Sequence, residues 1–143
     1  MKRVALALLL SLPVAFVGCG NPTTATTPAP PNSPQTQALN ITKTIADSIN
    51  AAVKTAISLR DSGKLSQANT TAIENWAKSA AVLDDTIATE LGSADPWTLQ
   101  KQKILVMIPA FNIPGSSTMD ATIQASLKAV STLIMQLQAQ VVN

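Results

Sequence analysis

The chain has 143 residues, of which 46% are hydrophobic, 13% charged and 3% aromatic, with 10 Lys+Arg against 8 Asp+Glu. That length fits one ordinary domain, and the low charge excludes both a solvating disordered chain and a basic nucleic-acid binder. Lys2 and Arg3 account for the formal charge of +2, there is no His or Tyr, and Cys19 is the single Cys, which together exclude disulfide frameworks, Cys/His metal sites and His-based acid/base catalysis.

Met1-Lys2-Arg3 is a short positive start, and Val4 to Val17 is a fourteen-residue stretch without a charge. A signal peptide has an apolar region of this length, whereas a helix crossing a bilayer needs ~20 residues. The stretch ends at Phe16-Val17-Gly18-Cys19. Small residues before a lone Cys, directly after such a region, resemble the lipobox of bacterial lipoproteins, although Phe16 stands where Leu is usual and Val17 is bulkier than the common Ala or Ser. The resemblance covers residues 1–20 and implies cleavage after Gly18, lipidation of the Cys19 thiol and acylation of the new amino terminus. An ordinary secretory cleavage site is disfavoured because the Ala-x-Ala-like pair, Ala5 and Ala7, comes too early. Cys19 is thus expected to be an anchor, with residues 1–18 as its signal peptide. Gly20, where Asp would signal inner-membrane retention in the family, points to the outer membrane if the cell has two.

From Gly20 to Gln37 there are eighteen residues, uncharged and with Pro at 22, 28, 30, 31 and 34. Such a segment cannot bury apolar surface and reads as a semi-rigid spacer, so residues 19–37 are expected to form a lipidated tether. The remainder, 38–143, is expected to be a helical domain. Ile41, Ile45, Ile49, Ala52 or Val53, and Ala56 with Ile57 form an apolar stripe over 38–60. Gly63 is placed to end that helix, and Leu65-Ser66 to start the next with a staple residue and an N-cap. The second stripe is Ile73, Trp76, Ala80, Leu83, Ile87 and Leu91, stopped by Gly92.

A short third helix is expected from Pro96 to about Ile108, with Asp95 as its N-cap. Pro109 and Pro114 then bracket an apolar loop. Ser117 with Asp120 reads as a capping-box-like start for a fourth helix, with the stripe Met119, Ile123, Leu127, Val130, Ile134, Leu137 and Val141. Three long helices and one short one, with no strand-like run, predict an all-α antiparallel bundle.

The acidic residues offer little chemistry. Asp61, Asp95 and Asp120 fall at helix ends, and Asp47 and Glu74 lie on polar faces four residues from Lys43 and Lys78. Asp84 and Asp85 are adjacent, point roughly 100° apart on a helix and read as a solvated face. Acid–Gly metal loops, Gly-rich phosphate loops and Ser-x-x-Lys are all missing. Neither an enzyme nor a cofactor is expected.

The run Ile104 to Pro114 is apolar on all sides for more than a helical turn. It either fills the bundle, with the loop as a lid, or leaves Met107, Phe111 and Ile113, with Trp97 nearby, as an interaction patch for a partner or lipid. Exposure of Phe111 and Ile113 discriminates the two. The combined expectation is a lipid-anchored protein of the cell envelope. It would act as a structural or protein-interaction module, with the membrane and an envelope protein as partners and no role for nucleic acid. The alternatives are a membrane-active or phage-related lipoprotein, concerned with lysis or superinfection exclusion, and a bundle that binds a small apolar ligand.

Overall fold

The computed structural model describes residues 30–115 and 119–143, which contain four α-helices and one 3₁₀ turn. The helices are α1 (Pro34–Asp61), α2 (Gln67–Leu91), α3 (Trp97–Met107) and α4 (Ala121–Val142), with the 3₁₀ turn at Ile108–Phe111. No strand occurs among the described residues, so the chain is all-α. Among the described residues, no helix is long and apolar enough to cross a membrane.

Capping chemistry explains where the helices start. Ser33 is extended and its Oγ accepts the Thr36 N–H at 3.1 Å, while Pro34 supplies a preset φ at the first helical position. Helix α1 therefore begins at Pro34, four residues before the expected 38, and takes the last residues of the expected tether into the bundle. At its other end Gly63 adopts φ +73°, and the Lys64 and Leu65 N–H groups both donate to the Leu59 carbonyl at 2.8 and 3.1 Å. This is the left-handed turn that glycine permits after a helix. Ser66 then caps α2, accepting from the Asn69 N–H at 3.2 Å, with Leu65 buried beside it.

Two further starts differ from the sequence expectation. Pro96, not Asp95, occupies the cap position of α3, and no side chain caps that helix. The Asp95 carboxylate is instead drawn to Lys103. Asp120 is itself the N-cap of α4, accepting the Thr122 N–H at 2.8 Å, and Met119 precedes the helix; Ser117 lies outside the described residues.

The buried positions are spaced four and three residues apart on every long helix. On α1 they are Ala38, Thr42, Ile45, Ile49, Ala52 and Ala56, and on α4 Ile123, Leu127, Val130, Ile134, Leu137 and Val141. On α2 the line runs Thr70, Ile73, Ala77, Ala80, Asp84, Ile87 and Leu91, with Trp76 beside it. A repeat of 3.5 residues keeps one seam facing its neighbours, as in coiled-coil-like bundles. It also moves the centre of the α1 stripe by one residue, leaving Ile41, Val53 and Ile57 half-buried at its edges.

Helix α1 packs along both α2 and α4, and α3 closes the remaining side between α2 and α4. Because α3 has 11 residues against 28, 25 and 22 for α1, α2 and α4, it lines only part of the bundle's length. Its chain then tightens into the 3₁₀ turn, where a loop was expected. The core is aliphatic: Ile45, Ile73, Ile87, Ile104, Ile123, Leu127 and Leu137 are its largest fully enclosed apolar side chains. Each contributes roughly 1.5–3 kcal/mol by leaving water.

Candidate functional site

Cys19 lies outside the described residues. The four residues of the expected apolar patch are all described, and they do not form one surface. Trp97 opens α3 and Met107 closes it, separated by about 15 Å of helical rise. Both are half-buried and pack against the core, as does Ile113.

Phe111 is 3% exposed. Its carbonyl accepts the Trp76 indole N–H at 2.8 Å, a buried bond that ties the end of the 3₁₀ turn to the middle of α2. Asn112 follows in the left-handed region at φ 31°, a conformation Asn tolerates better than most residues, and turns the chain toward Ile113. Of the two readings of this run, Phe111 follows the one that fills the bundle: it is part of the core, tied there by the 3₁₀ turn and the Trp76 bond. The large apolar side chains that α3 leaves in solvent are Val106, at 81%, and Leu99.

Among the described residues, three open grooves stand out on the surface. One, of ≈550 Å³, lies between α2 and the 3₁₀ turn, beside Trp76, Ser79, Ala110 and Asn112. A second, of ≈460 Å³, runs along α4 from Ala121 to Ser131 with Ile113 at its edge. The third, of ≈420 Å³, follows the α1–α2 seam between Ile49, Asn50 and Val53 on one side and Glu74, Ala77, Lys78 and Ala81 on the other. Small alanine side chains on α2 leave this last space open.

Polar residues that the apolar reading passed over are central to the interior. Gln100 is fully buried on α3; its Nε2 donates to the Ser93 carbonyl at 3.1 Å and Ser93 Oγ at 3.2 Å, and its Oε1 accepts from Gln35 Nε2 at 2.9 Å. Gln35 also donates to the Leu91 carbonyl at 2.8 Å, so one network joins the first turn of α1, the end of α2 and the start of α3. Near it, Lys103 Nζ donates to Glu90 Oε1 at 2.9 Å and to Asp95 Oδ2. The hydrogen bond from Lys103 holds the Asp95 carboxyl below its usual range, and the same bond, with that to Glu90, raises Lys103. Asp120 is likewise held low by the Thr122 N–H that it caps.

Asp84 is the exception. It is 3% exposed, and its Oδ1 has no hydrogen-bond partner. Burial, and then the neighbouring charge of Asp85, push its carboxyl up to about 7. The expected solvated face is correct for Asp85, which is exposed, and wrong for Asp84, which occupies a core position of the four-three repeat. The signal was available: Ala77, Ala80, Ile87 and Leu91 set a spacing whose missing member is 84. Among the described residues, no three His, Cys, Asp or Glu side chains gather as metal ligands. The chemistry this arrangement offers is a single carboxyl able to exchange its proton near neutrality.

No family model, curated protein or solved structure matches the chain.

Proposed function

We propose that the protein is a lipid-anchored component of a bacterial cell envelope, holding a small helical bundle close to the membrane as a structural or protein-interaction module. The observation that carries this reading is the order of segments: a charged start, an apolar run, Gly18-Cys19, and an uncharged proline-rich stretch. That stretch is followed at Ser33 by the capped first turn of the bundle. One acyl chain holds a protein only weakly at a membrane, whereas two or more hold it stably. A Cys lipidated on sulfur and acylated on its amino terminus meets that requirement.

The membrane-active alternative loses support at Phe111, whose ring is inside the bundle and out of reach of a lipid surface. The experiment is labelled-palmitate incorporation with membrane fractionation, comparing the wild-type chain with Cys19→Ala. The expected result is labelled wild type in the membrane fraction, and Cys19→Ala without label and without a stable hold on membranes. Unlabelled, soluble wild-type protein overturns the reading.

A further inference from the structure

Asp84 is buried on α2, and its register, seven residues on from Ala77, turns it toward the seam with α1. Ala77 and Ala81 face α1 across the groove that Ile49 and Val53 line, and Asp84 falls on the line of Ala77 two helical turns further along α2. The other buried polar groups are committed elsewhere. Thr42 on the α1 stripe gives its hydroxyl proton to the Leu39 carbonyl at 2.8 Å, Thr70 gives its own to Ser66 at 3.1 Å, and Gln100 is held by Gln35 and Ser93. Among the described residues, nothing in the core neutralises a charge on Asp84.

The charged groups around the seam do not do so either. On α1, Lys43, Asp47 and Lys54 are exposed; on α2, Glu74 and Lys78 line the groove beyond Ala77, and Asp85 adds a like charge. Lys103 of α3 is taken by Glu90 and Asp95, Lys101 is half-exposed, and Lys128 of α4 is exposed. The buried positions of α3 and α4 carry no ionisable side chain.

We infer that Asp84 is a proton-dependent latch on the α1–α2 seam: protonated, it lets the seam close dry, and ionised, it must be hydrated, which parts α1 from α2 along their groove. A buried carboxylate without a partner is hydrated or neutralised, because leaving it charged in an apolar interior costs more than local opening. The sign is set by the folded-state carboxyl titrating at about 7 against 3.8 for an ordinary one. The latch is fully closed at acid pH, and stability is lost progressively as the pH rises through the interval between these values, with at most about a tenfold change in folding constant per pH unit.

The test uses the full chain, melted by circular dichroism between about pH 4 and about pH 8.5, together with a carbon NMR titration of the Asp84 carboxyl. The expected results are a melting temperature that falls with rising pH in wild type, little fall in Asp84→Asn, and a carboxyl midpoint near neutrality. Asp85→Asn should keep the fall and move its midpoint down. Hydrogen exchange, corrected for its intrinsic pH dependence, should show α1 and α2 peptides around the seam losing protection before those of α4. An ordinary carboxyl midpoint in wild type overturns the latch even if Asp84→Asn fails to fold. So does an undiminished pH effect in Asp84→Asn, or a uniform loss of protection.

Discussion

At Gln100 and Asp84 the bundle contains two buried polar side chains with opposite fates. Gln100 has a partner for each side-chain atom, and those partners come from α1 and from the α2–α3 turn. Replacing it with Leu keeps the volume but leaves Gln35 and the Ser93 carbonyl short of a bond each. A buried group left without its partner costs about 1–3 kcal/mol. Gln100→Leu should therefore lower the unfolding free energy by about 2 kcal/mol in urea titrations. Lys103→Ala should cost clearly less than Gln100→Leu, since the Lys103 side chain is 40% exposed and water competes for its two carboxylates. Equal losses in the two variants contradict this assignment. An apolar stripe records where apolar residues recur and skips a polar one on the same line, so Gln100 leaves no mark in it and Asp84 shows only as the gap between Ala80 and Ile87. Ser66 was legible, since N-capping depends on its own side chain and the three residues after it.

At the scale of elements, helix existence and type followed from periodicity, and the differences gathered at prolines. Ser33-Pro34 carries a start signal as clear as Ser66, but it sits at the end of a proline-rich run whose composition reads as tether. Pro109 was taken to end α3, yet a 3₁₀ turn accommodates it near its own start, where the missing N–H has little to bond. This turn decides where Phe111 goes, and so which of the two readings of the Ile104–Pro114 run that residue follows. Its tie to α2 is the Trp76 indole bond. Trp76→Phe keeps most of the aromatic contact and removes the donor, leaving the Phe111 carbonyl buried and unpaired. Stability should fall by about 1–3 kcal/mol, and amide exchange should quicken first in the 3₁₀ turn. Val106→Ser, on the exposed face of α3, should change stability by less than about 0.5 kcal/mol. A large loss there would mean that Val106 packs against something in solution.

For the whole molecule, three helices with the same four-three spacing explain how a chain with two Phe, two Trp and no Tyr holds a core. Small and β-branched side chains meeting along straight seams replace the area that aromatic residues supply elsewhere. Such a core leaves a modest margin, so its ends matter. Helix α1 opens at the Ser33 cap, before the apolar stripe begins, and Gln35 joins the network that closes the bundle's end. A fragment covering 30–143 should therefore be more stable than one covering 38–143, although both keep every residue of the apolar stripes. The shorter fragment loses one N-cap, worth about 1 kcal/mol, and the Gln35 bonds, worth about 1 kcal/mol each. It also leaves Gln100 Oε1 unpaired. A difference of about 2–3 kcal/mol corresponds to a melting temperature lower by roughly 10 °C for a domain of this size. Ser33→Ala in the longer fragment should recover about a third of that difference, and Gln35→Ala most of the rest. Equal melting temperatures for the two fragments would return residues 34–37 to the tether and leave α1 beginning where its apolar stripe begins.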